Sequence, residues 1–527
     1  MATVTTTTSS TTWPLSLLAC LQAYPEILLS LSCFLLIFYY SHRKIIAPVN
    51  WPVIGMFPTA ISHFHHLHDH IVDILRETRW TFRFTGPWFL NMNYIFTCDP
   101  SNVNHILSTN FTNYPKGEGF NETFDLLGDG IFNSDGDSWR IQRKAAHIII
   151  RDRAFRSFVI NATKNKAEKG LLPAFEQFAI ENEVVDIHNL FMRFSLDVTC
   201  MMVFGVDPGY LSTTFPSVPF GKALDEAWEA LVVRHAMPKT IWKAMKWLQI
   251  GHEKRLASAW LEIDSFIAQQ ISQRRRRTTT TTANKGGETS TDLLTCYINN
   301  PVGDGTGFFG TDKFLRDTML AMMIAGRDGL AVTPSWFFWL LSKNPNAKHK
   351  LEEEVLSVHK AKNEVLSSYV TFTPEELSSM VYLHGAVCET LRLYPVVPYE
   401  EKGALEEDEL PSGEKVAAGS KVLLSVYAMG RMESIWGKDC MDFRPERWLT
   451  ESGKVRHVPA YKFMAFNCGP RICLGREIAL MQVKMVVAEV LSNFEVEVDE
   501  SQLVVPANSV ILKMKHGLMV KIKKKKQ

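Results

Sequence analysis

The sequence predicts a mainly α-helical protein with a minor β region. Apolar residues recur at helical spacing in successive segments from about Ala145 to Gln273. One long helical pattern runs from Thr311, a candidate N-cap, to about Lys343; at about 1.5 Å per residue it spans on the order of 50 Å, a whole domain. Strand-like patterns are confined to short pieces such as Thr81–Phe84 and Tyr94–Thr97. No repeat of about 20–50 residues is visible, which argues against a solenoid or propeller. The 527 residues suit one large domain or two or three ordinary ones. A 46% apolar fraction and a formal net charge of +1 describe a globular chain with no electrostatic call for nucleic acid.

The N-terminal elements justify a separate segment. A Thr/Ser-rich lead, Thr3–Thr12, precedes an apolar stretch, Trp13–Tyr40, interrupted by Gln22, Pro25 and Glu26. Its cleanest run, Ile27–Tyr40, has only 14 residues, against the roughly 20 of a full span. No basic region precedes it, whereas His42-Arg43-Lys44 follows. That order favours a membrane anchor with a cytosolic body over a cleaved signal peptide. Residues 1–44 are therefore expected as lead and anchor. Residues 45–55, with Pro48, Trp51, Pro52 and Gly55, form a stiff connector, and 56–527 the folded body.

Within the body, Arg274–Asp292 lacks large apolar residues and reads as a flexible surface loop; the anchor contradicts a nuclear signal in its arginines. Thr373-Pro374-Glu375-Glu376 carries a capping-box signature. A helical stretch holding Glu389–Leu393 stops at Tyr394-Pro395. Pro411–Val426 reads as a β-hairpin, Cys473–Leu491 as helix, and Phe494–Val498 and Leu518–Ile522 as strands. Nine cysteines, odd in number and without a Cys-x-x-Cys pair, fit reduced thiols and not a zinc site or disulfide scaffold.

The most specific stretch is Phe466-Asn467-Cys468-Gly469-Pro470-Arg471-Ile472-Cys473-Leu474-Gly475. A cysteine near a helix N-terminus gains thiolate character from the dipole and free N–H groups. Gly469 and Gly475 allow close backbone approach to a flat ligand, and Arg471 is placed to meet a carboxylate. These features suit a thiolate on haem iron; the bland alternative is a buried cysteine in a Gly-rich turn.

This segment resembles the haem-binding signature of the cytochromes P-450, Phe-x-x-Gly-x-Arg-x-Cys-x-Gly, at every fixed position. Three further elements match in order: Trp139 and Arg143, Glu389-Thr390-Leu391-Arg392, and Phe443-Arg444-Pro445-Glu446-Arg447-Trp448. The resemblance extends from about Asn50 to the end of the chain. It implies a cytochrome P-450 fold with an N-terminal anchor helix, and haem b (iron protoporphyrin IX) with Cys473 as axial thiolate and Phe466 beside it. It further implies a propionate-binding set of Trp139, Arg143, Arg471 and Lys402. Glu389, Arg392 and Arg447 would form a buried ion network. It also implies an NADPH-cytochrome reductase or a cytochrome b-type donor as partner, a small hydrophobic substrate, and an endoplasmic reticulum membrane location with a single-pass anchor.

The resemblance breaks in Ala325-Gly326-Arg327-Asp328-Gly329-Leu330. In relatives, a glycine here makes room for O2 and an acid–alcohol pair delivers protons. Gly326 and Asp328 are retained, but Gly329 replaces the alcohol. Thr333, one turn on, is the candidate substitute through a water. Pro334 is expected to kink or loosen the helix by removing the bond to the Leu330 carbonyl.

Several stretches resemble the plant fatty-acid and alkane hydroxylases, especially the midchain-alkane-hydroxylase-like branch: Asn113–Gly117, Leu127–Ser134, Trp336–Leu341 and Tyr461–Phe466. This implies a monooxygenase hydroxylating a long-chain alkane or fatty-acyl-like substrate. The alternatives are oxidative phenol coupling in alkaloid formation and a non-catalytic haem sensor or carrier. Tyr399-Glu400-Glu401 offers carboxylates that could pair with a protonated amine, unless they face solvent or support the propionate side.

Overall fold

The computed structural model describes residues 48–90, 92–281, 291–299, 310–360 and 368–525, with isolated positions between 26 and 35. Most of the apolar stretch Trp13–Tyr40, and with it the expected anchor, lies outside the described residues. Among the described residues no helix is long and apolar enough to cross a membrane. The connector carries a tight turn in which Trp51 and Gly55 exchange backbone hydrogen bonds.

The elements that build the site are, in chain order, α1 (Phe57–Ser62), α2 (Leu67–Glu77), β1 (Thr81–Thr85), β2 (Asn93–Thr97), α3 (Gly117–Thr123), α4 (Gly136–Arg151), β3 (Val184–Asp186), α5 (Ile187–Phe204), α6 (Pro219–Ala236), α7 (Gly251–Thr281), α8 (Asp312–Lys343), α9 (Pro374–Ser379) and α10 (Val381–Leu393). There follow β4 (Tyr399–Gly403), β5 (Asp408–Glu409), β6 (Lys415–Val416), β7 (Lys421–Ser425), α11 (Arg476–Asn493), β8 (Phe494–Val498) and β9 (Met519–Lys524). Other helices connect them, among them Arg153–Lys166 and Pro345–Lys360. The strands form three small sheets ordered β1-β2-β7-β4, β3-β9-β8 and β5-β6. The fold is thus mainly helical with a minor β part, as expected.

Local sequence explains many of these boundaries. Thr311 caps α8 by accepting from the Phe314 N–H, and Thr373 with Glu376 closes a capping box on α9. α10 ends at Leu393, before Tyr394-Pro395. The expected hairpin is divided: β5 and β6 turn back at Gly413, whereas β7 joins the four-stranded sheet. Arg274–Thr281 continue α7 as helix, held by Arg274 donating to the Phe204 carbonyl; residues 282–290 of the expected loop lie outside the described residues.

α8 crosses the centre of the larger core and makes its most extensive helix contact with α5. It runs unbroken through Pro334. The bond lost at Pro334 is outweighed by packing on both sides: Ser335 Oγ donates to the Ala331 carbonyl at 2.8 Å and lies 2.8 Å from His188 Nδ1. Trp336 is fully buried, stacks on Tyr394 at 3.8 Å and donates to the Leu512 carbonyl. A second core lies under the four-stranded sheet and α2.

Candidate active site: a thiolate cavity with an apolar wall

A cavity of 1410 Å³ takes its lining from both cores and has Cys473 on its wall. The Cys473 loop is shaped by short-range constraints. Its N–H donates to the Phe466 carbonyl at 2.8 Å. Gly469 adopts a left-handed φ of 64°, and a side chain there would collide with the Leu107 carbonyl. α11 begins at Arg476, not at Cys473. The sulfur therefore sits just ahead of the first turn, where the backbone N–H groups of Gly475 and Arg476 favour its charged form. Burial pushes the thiol up; those N–H groups, Arg143 and Arg476 pull against it. Donors converging on an otherwise bare sulfur suit a ligated thiolate.

Around the same cavity, Arg143 donates to the Ile472 carbonyl at 2.6 Å. Arg471 donates to the Ser134 carbonyl at 2.8 Å and to Asp135 at 2.6 Å. Its guanidinium lies 4.6 Å from the Trp139 ring centroid. Arg471 Nε is buried without a hydrogen-bond partner. Lys402 Nζ is also buried; Glu400 lies 3.2 Å away, but the contact lacks hydrogen-bond alignment. Burial pulls Lys402 down to about 7, with Glu400 opposing. A buried Arg471 Nε and Lys402 Nζ without hydrogen-bond partners near the thiolate fit the carboxylates of a haem. Trp139, Arg143, Arg471 and Phe466 line the cavity; Lys402 stands behind the lining. Cys473 and the four lining residues would hold the haem, which when bound supplies iron-centred activation of O2 supported by the thiolate, whereas the structure does not bring Lys402 to the cavity surface.

The expected ion network forms. Arg392 meets Glu389 at 2.7 and 2.8 Å and Arg447 meets it at 3.2 Å; Trp448 Nε1 adds a bond of 2.9 Å. All of it lies off the cavity.

On the α8 side, Ala325, Gly326, Asp328 and Gly329 line the cavity, whereas Thr333 is buried outside that lining. The structure does not bring Thr333 to the site. The two glycines differ. A Cβ on Gly326 would meet Thr199 Cγ2 and Met202 Cε, each at 2.8 Å, so this glycine serves close packing of α8 on α5. A Cβ on Gly329 would meet nothing within 4 Å. Asp328 accepts from Trp228 Nε1 and Arg327 Nη1, both at 3.2 Å. Burial pushes its carboxyl up to about 6, nearby Asp225 adds to this, and Arg327 and Trp228 oppose it. Arg327 also meets Asp225 at 3.2 Å. Trp228 and Asp225, both on α6, had no signal in the sequence: neither sits in a motif, and only the fold brings α6 to α8.

Sequence reasoning also left the ionic setting of Glu400 and Glu401 open. Both line the cavity and both are paired, Glu400 with Lys116 at 2.9 Å and Glu401 with His235 at 3.2 Å. Burial works against their charge, but Lys116 and Lys402 hold Glu400 at about 2, and His235 with Lys421 and Lys116 does the same for Glu401. A free carboxylate awaiting an amine is not what the fold presents.

A large cavity with a donor-ringed thiolate, a buried cationic rim and a buried acid on the crossing helix defines a haem-thiolate oxidoreductase. The family model for cytochrome P-450 matches residues 47–522, and the chain belongs to that family. It is similar to noroxomaritidine synthase of Narcissus aff. pseudonarcissus MK-2014, 41% identical over 98% of this chain and 99% of the relative. It is also similar to alkane hydroxylase MAH1 of Arabidopsis thaliana, 38% identical over 96% and 100%. Cytochrome P-450 86B1 of the same plant is 40% identical over 94% and 89%.

Proposed function

We propose that this monooxygenase hydroxylates a long hydrophobic substrate, alkane-like or fatty-acyl-like. The apolar wall carries this reading: the lining that includes Cys473 also includes Phe124, Phe120, Phe96, Phe82 and, on α1, Ile61 and Phe57. Such a wall excludes water and binds hydrocarbon by area. The likeness to a relative named alkane hydroxylase supports it. Electrons come in this reading from an NADPH-cytochrome reductase or a cytochrome b-type donor. The protein sits on the endoplasmic reticulum membrane through its N-terminal segment, with the body in the cytosol. Fractionation of a fusion lacking residues 1–44 tests the location; unchanged membrane retention sinks it.

A second reading, oxidative phenol coupling without oxygen insertion, is favoured by one observation. Gly329 leaves open space where relatives carry an alcohol, so the hydroxyl that assists proton delivery is missing from that position. Likeness to a relative named a synthase agrees with it. The reconstituted reductase system under isotope-labelled O2 separates the two. Label in the product supports hydroxylation; a coupled, unlabelled product overturns it. A sensor or carrier role is set aside, since the relatives are named as hydroxylase and synthase.

A further inference from the structure

One stretch of the apolar cavity wall is ionic. Lys116 precedes α3, His235 lies near the end of α6, and Glu400 and Glu401 lie on β4; all four line the cavity. Glu401 is 5% exposed. Its Oε2 meets His235 Nε2 at 3.2 Å, and its Oε1 meets Lys421 Nζ at 3.5 Å. His235 Nδ1 faces the Leu231 carbonyl at 2.9 Å. Both ring nitrogens thus face acceptors, one on Glu401 and one on the Leu231 backbone. Lys116 spends one contact on Glu400, at 2.9 Å, and lies 4.1 Å from the Phe120 ring centroid.

Three kinds of substrate group can be placed against this patch. Plain hydrocarbon leaves desolvated ions facing methylene groups, which is unfavourable. An ion of either sign meets a like charge in the same patch: an ammonium meets Lys116, a carboxylate meets Glu400 and Glu401. Like-charge contact in a dry wall is costly. A neutral hydroxyl both donates and accepts. It can donate to Glu401, whose two oxygens have lone pairs beyond those used by His235 and Lys421. It can accept from Lys116, which has three N–H bonds and one glutamate partner.

We propose that the substrate is a long apolar molecule bearing a neutral hydroxyl, alcohol or phenol, and that Lys116 and Glu401 bind that hydroxyl while His235 positions Glu401. The proposal rests on the hydrophobic-substrate reading and narrows it. It applies whether the product gains oxygen or is coupled.

The test is a binding titration of the haem-loaded full chain with dodecane, dodecanol, dodecanoate and dodecyltrimethylammonium, read by tryptophan fluorescence and by the Soret shift. Dodecanol is expected to bind about tenfold tighter than dodecane, the scale of one hydrogen bond to a charged group, and tighter than either ion. Glu401→Gln and Lys116→Met should each erase most of that preference while dodecane binding persists; an intact thiolate-type CO band certifies folding. Equal binding of dodecane and dodecanol, tightest binding of either ion, or a preference that survives both substitutions overturns the proposal alone. No binding by any member of the series overturns the hydrophobic-substrate reading and this proposal with it.

Discussion

The thiolate wall and the α8 wall of the cavity are built by different means. The thiolate wall is one loop, Phe466–Gly475, whose turns are set by a left-handed glycine and a backbone bond from Cys473 to Phe466, with remote partners Arg143, Ser134 and Asp135 only added to its edge. The α8 wall is assembled across distance: Asp328 is held by Trp228, a hundred residues earlier in the chain, and by Arg327, which is itself held by Asp225. Local construction leaves little freedom to vary, whereas a wall built of remote partners can change one of them and keep its shape. The departure from the family at Gly329 falls on the second kind of wall.

The contrast can be broken most severely at the thiolate. Cys473→Ala is expected to abolish the thiolate-type band of the reduced CO complex, and survival of that band would refute the ligand assignment. A smaller effect is expected from Trp228→Phe. The indole N–H stabilises the Asp328 carboxylate, so its loss raises the pKa from about 6. The inflection that Asp328 imposes on the pH profile of kcat should move to higher pH, with the CO band unchanged; a downward move contradicts the arrangement. The smallest effect belongs to Gly329→Ala. The space beside Gly329 is open and the residue is mid-helix, so denaturation should show a gain of about 1 kcal/mol. Gly329→Thr, which restores a hydroxyl, should raise the share of NADPH that reaches product if hydroxylation is native.

The same difference governs what was legible in the sequence. The haem loop, the Glu389–Arg392–Arg447 network and the two capped helices could be read because each rests on residues at fixed short spacing or on side chains with one physical use. Even there the start of α11 was misplaced by three residues, because the turn at Leu474-Gly475 carries no signal distinct from a helix start. Helical periodicity alone points to Thr333, which is buried outside the cavity lining. The pairing of Glu400 and Glu401 could not be read, because Lys116 and His235 reach them only once α3 and α6 close over β4. At Pro334 the helix stays continuous, with Ser335 bonded to the Ala331 carbonyl and α5 packed against it.

α6 carries three of these grips, Asp225 on Arg327, Trp228 on Asp328 and His235 on Glu401. It is a single rigid lever with the acid at its middle and the ionic patch at its end. Any tilt that widens the chamber for a bulkier guest also swings the acid. On the proposed reading, preference for a guest and efficiency of electron use are tuned by the same helix, and changes that displace it trade one against the other.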